Sequence, residues 1–564
     1  MKILLLTGHL AEPLIREAAK AAAPHHQCDV RVLPVAVAAF LHPRYVSTQL
    51  KGQIRAGDFD LILLPGLVSG DAKLVQEALG IPTYKGTRHA ADLPVLLRSL
   101  GESESSLSTT QPADTLLAEK RFENAMGELT AAEATRAPDP LPLRTLRIGQ
   151  GAQSLLAGPD YPMRVVAEIT DAPSKSSEEL LRLAQHFHAS GALVIDVGMT
   201  AGAPDPDAAG RTVKLVRSAV PVPVSIDSTN ADELIAGLEA GASMALSLDQ
   251  DNMERIPRRL RQRAAFTVIP AAQAGATLPK TLEDRLALLQ HNLDAARRLG
   301  YVTLIADPLC DPLITPGLAE SIQAYVAFAK RQPAIPLLMG VGNVTELLDA
   351  DTPGVNALLA GIASEIGVTL LLTTEVSTKT RGSVWELYRA TQMMYLAHHR
   401  HAQPKDLGLD LLLLKSKQFT EVPYDASRET PASIINAELP PDSSPPPVCL
   451  DPSGYFTIHV DRQQHRIVAR HFSAYAQGRS QTTSSAEPRP DIVFLGNTAV
   501  EISTAILERK LVSRMDHAAY LGRELLKAEV ALQTGRPYMQ GSLLFASWGP
   551  SASAPRADRK SAEG

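Results

Sequence analysis

Between residues 164 and 375, a series of short apolar runs each leads into residues that can accept a hydrogen bond or exchange a proton. Glu168, Thr170 and Asp171 close the first run, Asp196 the second and Asp227 the third. Ser247 and Asp249 follow the fourth, Asp307 the sixth, Asn343 the seventh and Glu375 the eighth. Gathered at one place, they would make a site rich in carboxylates and poor in cations. An ionised carboxylate only accepts, so such a set suits a ligand edge that offers several N–H donors. The 2-amino group and ring N3–H of a pterin form a two-donor edge that one carboxylate takes bidentately, and its ring nitrogens and oxo group suit an amide or hydroxyl. A hard cation such as Mg2+ is the other occupant that clustered carboxylates admit, and spacing leaves the two open. Taken singly, each acid is also a common N-cap for a helix that follows a strand.

The elements that would bring these residues together are legible from periodicity. The apolar runs begin near Arg164, Ala192, Val222, Met244, Ala265, Val302, Ile335 and Val368, each separated from the next by room for one helix. The stretches 177–190, 231–240 and 282–299 carry helical patterns. Eight such alternations in about 250 residues predict a (β/α)8 TIM barrel, over residues 146–405, with its reactive positions on the C-terminal face. A doubly wound sheet would need a nucleotide fingerprint after its first strand, and the sequence has none.

The flanks read differently. Residues 1–100 alternate strands over 2–7, 29–35 and 60–65 with helices over 14–23 and 72–79, which predicts a doubly wound, flavodoxin-like α/β domain. Its loops at Gly8-His9, 66–70 and 85–88 admit an anion at a helix start, the plainer reading being tight strand–helix turns. Residues 101–145 are expected to be a polar linker or extension, and 406–447 a second linker stiffened by prolines at 439–447. Residues 448–545 read as a small α+β domain: a hairpin over 454–460 and 466–470, then helices over 499–509 and 516–534. A disordered tail, 546–564, is expected to follow.

A chain of 564 residues needs two to four domains, and 45% hydrophobic with 21% charged residues is ordinary globular composition. Net charge of −6 without a basic block, and 4% aromatics, argue against nucleic acid as partner. Cys28, Cys310 and Cys449 lie far apart, which suits a reducing compartment and gives neither a disulfide framework nor a zinc site. The apolar run after Met1 is too short for a signal sequence and no run reaches a membrane span, so a cytoplasmic protein is expected. His398, His399 and His401, like His25-His26, read as helix C-terminal residues rather than metal ligands. Tyr388, Met393 and Met394 have core spacing, and Cys310 has no nearby histidine to activate it.

Local motifs add a resemblance. Val194-Ile195-Asp196-Val197-Gly198-Met199-Thr200 resembles the second-strand motif of dihydropteroate synthases, and Val224-Ser225-Ile226-Asp227-Ser228 their Ser-Val-Asp-Thr. Ile305-Ala306-Asp307-Pro308 is similar to their sixth-strand Asp-Pro-Gly. Val166-Ala167-Glu168-Ile169-Thr170 is similar to their Leu-Asn-Val-Thr, with Glu168 where that family has Asn. The motifs run in the same order through the whole barrel. The resemblance implies that Glu168, Asp196, Asp227 and Asp307 contact a reduced pterin, with Asp307 on its pyrimidine edge. With the flanking domains it points to the dihydropteroate synthase-related group of methanogens and methylotrophs, linked to tetrahydromethanopterin and one-carbon metabolism. It implies a transferase that joins a pterin to an arylamine.

The departures from that pattern concern the second substrate. Synthases of the family carry a Lys after strand seven and an Arg-x-His after strand eight, cations that a departing diphosphate requires. Here strand seven leads into Gly342-Asn343-Val344-Thr345 and strand eight into Thr373-Thr374-Glu375. Lys379 and Arg381, just beyond, are the candidate phosphate-binding residues, with solvated loop cations as the plainer reading. Gly342-Asn343-Val344 resembles the loop of pterin-dependent methyltransferases, which implies a catalytic Asn343 near ring N5, beside Asp227. Methyl transfer to a corrinoid on a separate protein is thus an alternative, as is a non-catalytic pterin carrier. A homodimer, and a protein partner held by the outer domains, are the expected assemblies.

Overall fold

The computed structural model of the chain describes residues 1–22, 25–88, 90–100, 107–135, 140–272, 279, 281–415, 451–462, 464–473, 489–542, 544 and 545. The start of the 101–112 loop, the proline-rich stretch, Cys449 and the 546–564 tail lie outside the described residues.

The apolar runs form eight parallel strands: Arg164–Ile169, Val194–Gly198, Val224–Asp227, Met244–Leu248, Ala265–Val268, Thr303–Ala306, Leu338–Gly340 and Leu370–Thr373. Sheet order is sixth, fifth, fourth, third, second, first, eighth, seventh. A bridge between Ala306 and Leu337 brings the sixth strand to the seventh, so the sheet closes on itself. This is the expected TIM-like barrel. Its strands read as continuous apolar runs because both faces are covered; every residue of Val194–Gly198 and Ala265–Val268 is buried. The intervening helices start where the sequence supplies a side-chain cap. Ser176 accepts from the Glu179 N–H, Asn230 from Asp232 and Glu233, and Thr281 from Asp284.

Two features decide where a ligand can enter. An antiparallel hairpin, Leu146–Ile148 with Leu155–Ala157, sends Leu146, Ile148 and Ala157 into the barrel interior against Val166, Val194 and Met244, near the strand starts. That end is plugged, leaving the strand C-termini as the open face. The stretch expected as a linker or extension, 101–145, holds a helix, Ala113–Ala134. Its Ala125 and Leu129 pack with Met393, Leu396 and Leu407, Glu128 pairs with Arg400 at 2.8 Å, and Glu133 pairs with Arg164. It is an outer buttress of the barrel.

At the N-terminus four parallel strands, Lys2–Thr7, Gln27–Val32, Leu61–Leu64 and Thr83–Lys85, take the order second, first, third, fourth. That is the flavodoxin-like order. The helices Glu12–Ala22 and Leu93–Ser99 cover one face; Pro43–Leu50 and Lys73–Leu79 cover the other. The fourth strand, only three residues long, was not expected.

Chain contacts separate residues 1–422 from 423–564. In the second unit Tyr455–Asp461, Arg466–Phe472 and Ile492–Gly496 form an antiparallel sheet, covered by Ala499–Glu508 and Met515–Thr534 over a core that includes Phe456, Ile467, Phe494 and Leu525. A capping box, Thr498 with Glu501, starts the first of these helices.

Candidate active site

Strand register builds the site. Glu168 pairs with Asp196 across the first two strands, and Asp196 with Ser225 across the next two. One carboxylate oxygen from each of Glu168, Asp196 and Asp227 lies within 4.8 Å of the other two. A Cβ at position 198 would stand 2.4 Å from Glu168 Oε1, so glycine at 198 leaves room for that carboxylate.

A hydroxyl steadies each of three acids. Ser225 Oγ donates to Asp196 Oδ1 at 2.5 Å, Ser247 Oγ to Asp227 Oδ1 at 2.8 Å, and Tyr325 Oη to Asp307 Oδ1 at 2.5 Å. The Leu309 N–H also donates to Asp307 Oδ1, at 2.8 Å. Ser247 reaches its partner from a left-handed backbone, φ +67°, where the ladder to the fifth strand is irregular. A non-glycine residue in that region stores strain, and here the Asn252 amide holds it by donating to the Ser247 carbonyl at 2.9 Å. Asp196 Oδ2 is buried without a partner. A buried acceptor of this kind costs free energy until a donor or a cation meets it.

The electrostatics agree with that need. Burial, then the neighbouring Asp227 and Asp171 charges, push the Glu168 carboxyl up to about 7. Burial, then Asp227 and Glu168, hold Asp196 well above the usual carboxylate range. Asp227 is raised by burial against the Ser247 hydrogen bond, and burial takes Asp307 up to about 6 against those from Tyr325 and Leu309. None of the three clustered acids has an ion-pair partner among the described residues. Carboxylates this close cannot all ionise unless donors or a cation enter. The oxygens suit the donor edge of a heterocycle, and they could equally hold a hard divalent cation.

The other half of the mouth is built from the loops after strands six to eight. Asn343, on the one-turn helix Gly342–Thr345, is exposed and donates from Nδ2 to the Cys310 carbonyl at 2.9 Å, tying two loops together. Glu346 accepts from Val376 N–H, Ser377 N–H and Thr380 Oγ1, which fixes the loop carrying Lys379 and Arg381. Lys379 Nζ lies 2.9 Å from Asp349 Oδ1, so this phosphate candidate already has a partner. Arg381 is exposed. Glu375 turns away to His186 Nε2 at 3.1 Å and the Val384 N–H. Asp249 is occupied as a turn acceptor for the Asp251 and Asn252 N–H groups.

Several secondary candidates resolve into structure. The Cys310 thiol is buried and pushed up to about 12, by burial and then Asp307 and Asp311, and is not a nucleophile. Met393 and Met394 are core, and His398 and His399 end the helix Ser383–His399. In the N-terminal domain the His9 and Leu10 N–H groups donate to Val35 and Ala36, and the Gly66 N–H to Thr87. A Cβ at Gly8 or Gly66 would lie 2.7 Å or 2.6 Å from neighbouring backbone. Those glycines serve close chain packing, and the His9, Leu10 and Gly66 N–H groups already have carbonyl partners. Sequence reasoning assigned no role to Ser225 or Gly198, although both stand inside the quoted motifs, and missed Tyr325. Ser225 carried a faint signal, standing two residues before Asp227 and so on the same strand face. Tyr325 carried none.

Three family descriptions match the chain. Residues 1–88 match a family of unknown function (DUF6513), 169–363 the pterin binding enzyme family, and 450–541 the family PterinBD-DUF4346. Among solved structures, Yersinia pestis dihydropteroate synthase with a pterine-sulfa conjugate is 18% identical, covering 46% of this chain and 100% of that one at a TM-score of 0.36. Xanthomonas albilineans dihydropteroate synthase with 4-aminobenzoic acid is also 18% identical, with the same coverage and a TM-score of 0.37. A Ycf91-like protein of Nostoc is 38% identical over 105 residues, 16% of this chain and 83% of its own length. Barrel and family match together define a pterin-binding barrel domain over residues 169–363. Uncharacterized protein MJ0107 of Methanocaldococcus jannaschii is 36% identical over 554 residues, 97% of this chain and 99% of that one. The chain belongs to the same family as that protein. Among the described residues no helix is long and apolar enough to cross a membrane.

Proposed function

We propose that the chain is a transferase that binds a reduced pterin edge-on and joins it to an arylamine in tetrahydromethanopterin assembly. The observation that carries this reading is the convergence of Glu168, Asp196 and Asp227 within 4.8 Å, with an unpartnered buried oxygen on Asp196. In it, Asp196, Asp227 and Asp307 accept the amino and ring N–H groups, and Glu168 receives a further donor or shares a Mg2+ ion with them. Asn343 stands by the reacting centre, and Lys379 exchanges Asp349 for substrate phosphate while Arg381 closes on the same group. A family member from Methanocaldococcus jannaschii aligned along the whole chain supports the tetrahydromethanopterin link.

A second reading is transfer of a methyl group from a methylated reduced pterin to a separate acceptor. The engagement of Lys379 by Asp349 favours it, because Lys379 is then already paired where a diphosphate would need it. Titration calorimetry with a panel of oxidised, dihydro- and tetrahydropterins tests the shared premise. We expect binding that Asp227→Asn weakens by about a hundredfold, since a half-buried acceptor of N–H groups is replaced by a mixed donor–acceptor. Absence of binding by every pterin would overturn both readings. Pyrophosphate release from a pterin methyl diphosphate and an arylamine selects the first, and methyl loss to an added corrinoid protein selects the second.

A further inference from the structure

The strand Gln27–Val32 forms one edge of the N-terminal sheet, paired only with Lys2–Thr7 among the described residues. Its register is unbroken over six residue pairs, and it contains neither proline nor bulge, the usual protections of an edge. The Gln27 N–H donates to Met1 O and the Leu33 N–H to Thr7 O, both at 2.9 Å. With a period of two, the odd-numbered residues therefore turn their main-chain groups inward. Cys28, Val30 and Val32 direct their N–H and C=O groups outward, as a ready template for another strand.

Side chains add a pattern to that template. Cys28 and Val30 are half-buried on the face shared with the helix Glu12–Ala22, beside an open groove of about 720 Å³ bordered by Arg16, Ala19 and Lys20. Asp29 and Arg31 alternate with them on the opposite face, Asp29 exposed and Arg31 half-buried against Gln53. Read in reverse, the run Cys-Asp-Val-Arg-Val pairs with itself.

We propose that this edge is the seam of a homodimer, with strands 27–32 of two copies antiparallel about a twofold axis at Val30. Val30 then faces the partner's Val30, Cys28 faces the partner's Val32, and each of these pairs exchanges two N–H···O bonds. Asp29 lies opposite the partner's Arg31, and Arg31 opposite the partner's Asp29. Alternative registers fail on elementary grounds. A shift by one residue sets outward main-chain groups against inward ones. Moving the axis to Asp29 or to Arg31 places two like charges directly opposite, which is destabilising. The seam is isologous and joins two four-stranded sheets into one continuous sheet, so it closes at two copies.

The test is the mass of the full chain in solution, by sedimentation velocity or light scattering, on charge-swapped variants. Wild type should be a dimer. Asp29→Arg and Arg31→Asp should each weaken association at least tenfold, and the double variant should restore it because both pairs re-form with exchanged sign. Val30→Pro removes only an outward N–H, which an edge strand tolerates, so it should give a folded monomer by circular dichroism. Wild type that stays monomeric at about 100 µM, single variants that stay dimeric, a double variant that does not recover, or a dimeric Val30→Pro protein would each overturn the proposal.

Discussion

At the scale of single residues, the site is held together against its own electrostatics. Asp196 and Glu168 have carboxyl groups raised by burial and then by neighbouring carboxylates, Asp227 foremost, so the folded, ligand-free chain binds more protons than the unfolded chain across the interval between ordinary and raised values. Stability from these groups is therefore present at low pH and lost as pH rises, for Glu168 through about 7. The ligand-free barrel should melt at a lower temperature near pH 8 than near pH 5 on this account. Asp196→Asn removes a buried charge while keeping an oxygen for Ser225, and should stabilise the ligand-free protein near pH 8 by on the order of 1 kcal/mol. The gain should shrink as pH falls, because protonation removes the same charge from the native acid, and pterin affinity should fall at every pH. Thermal unfolding across pH, with calorimetry beside it, checks both arms; a variant no more stable at either pH would sink the account. Glu168, Asp196, Asp227 and Asp307 were legible in sequence because each ends or follows an apolar run, whereas Glu375, at an equivalent strand end, turns away to His186. The roles of Ser225, Tyr325 and Gly198 were not legible, because hydroxyl-to-carboxylate pairing and room for Glu168 are settled between elements, across 18 residues for Tyr325 and Asp307.

At the scale of elements, boundaries came from patterns that local physics fixes, and errors fell where length or tertiary support decides. Strands buried on both faces announced themselves to within a few residues, as with the run near Ala265 and the strand Ala265–Val268. The strand Thr83–Lys85 and the plug hairpin are three residues per strand, too short for alternation to register. The helix Ala113–Ala134 has a weakly amphipathic pattern and draws support from Arg400 and Arg164 far along the chain. In the C-terminal unit the junction of elements depends on Asp451, which is buried and lies at the start of the helix Met515–Thr534. It accepts from Ser513 Oγ at 2.6 Å, from the Ser453, Ser513 and Arg514 N–H groups, and from His517 Nδ1 at 3.1 Å. Burial would raise its carboxyl, but these hydrogen bonds outweigh burial and hold it far below the usual range. Asp451→Ala leaves several donors without an acceptor and should cost this unit about 3 kcal/mol, read as a lower denaturant midpoint. The sign with pH is opposite to that of the barrel acids: a depressed carboxyl contributes above its unfolded value, and that contribution is lost as pH falls.

At the scale of the whole molecule, these two signs give a way to ask how many cooperative bodies the chain contains. Residues 1–422 and 423–564 each enclose a core of their own: Val197, Phe266 and Leu371 belong to one, Phe456, Phe494 and Leu525 to the other. A body with a complete core can unfold as a unit, so the intact chain should show more than one calorimetric transition. Asp451→Ala should lower only the transition of the C-terminal unit. Asp196→Asn near pH 8, or saturation with a bound pterin, should raise only that of the barrel, the ligand by mass action on the folded state. Raising pH from about 5 to about 8 should lower the barrel transition relative to that of the C-terminal unit, since barrel acids lose stability in that direction while Asp451 keeps its contribution. Scanning calorimetry of the full chain, wild type and both variants, measures all of this in one series. A single transition that every change shifts equally would mean that the two cores unfold together, and that the separation seen in chain contacts has no energetic counterpart.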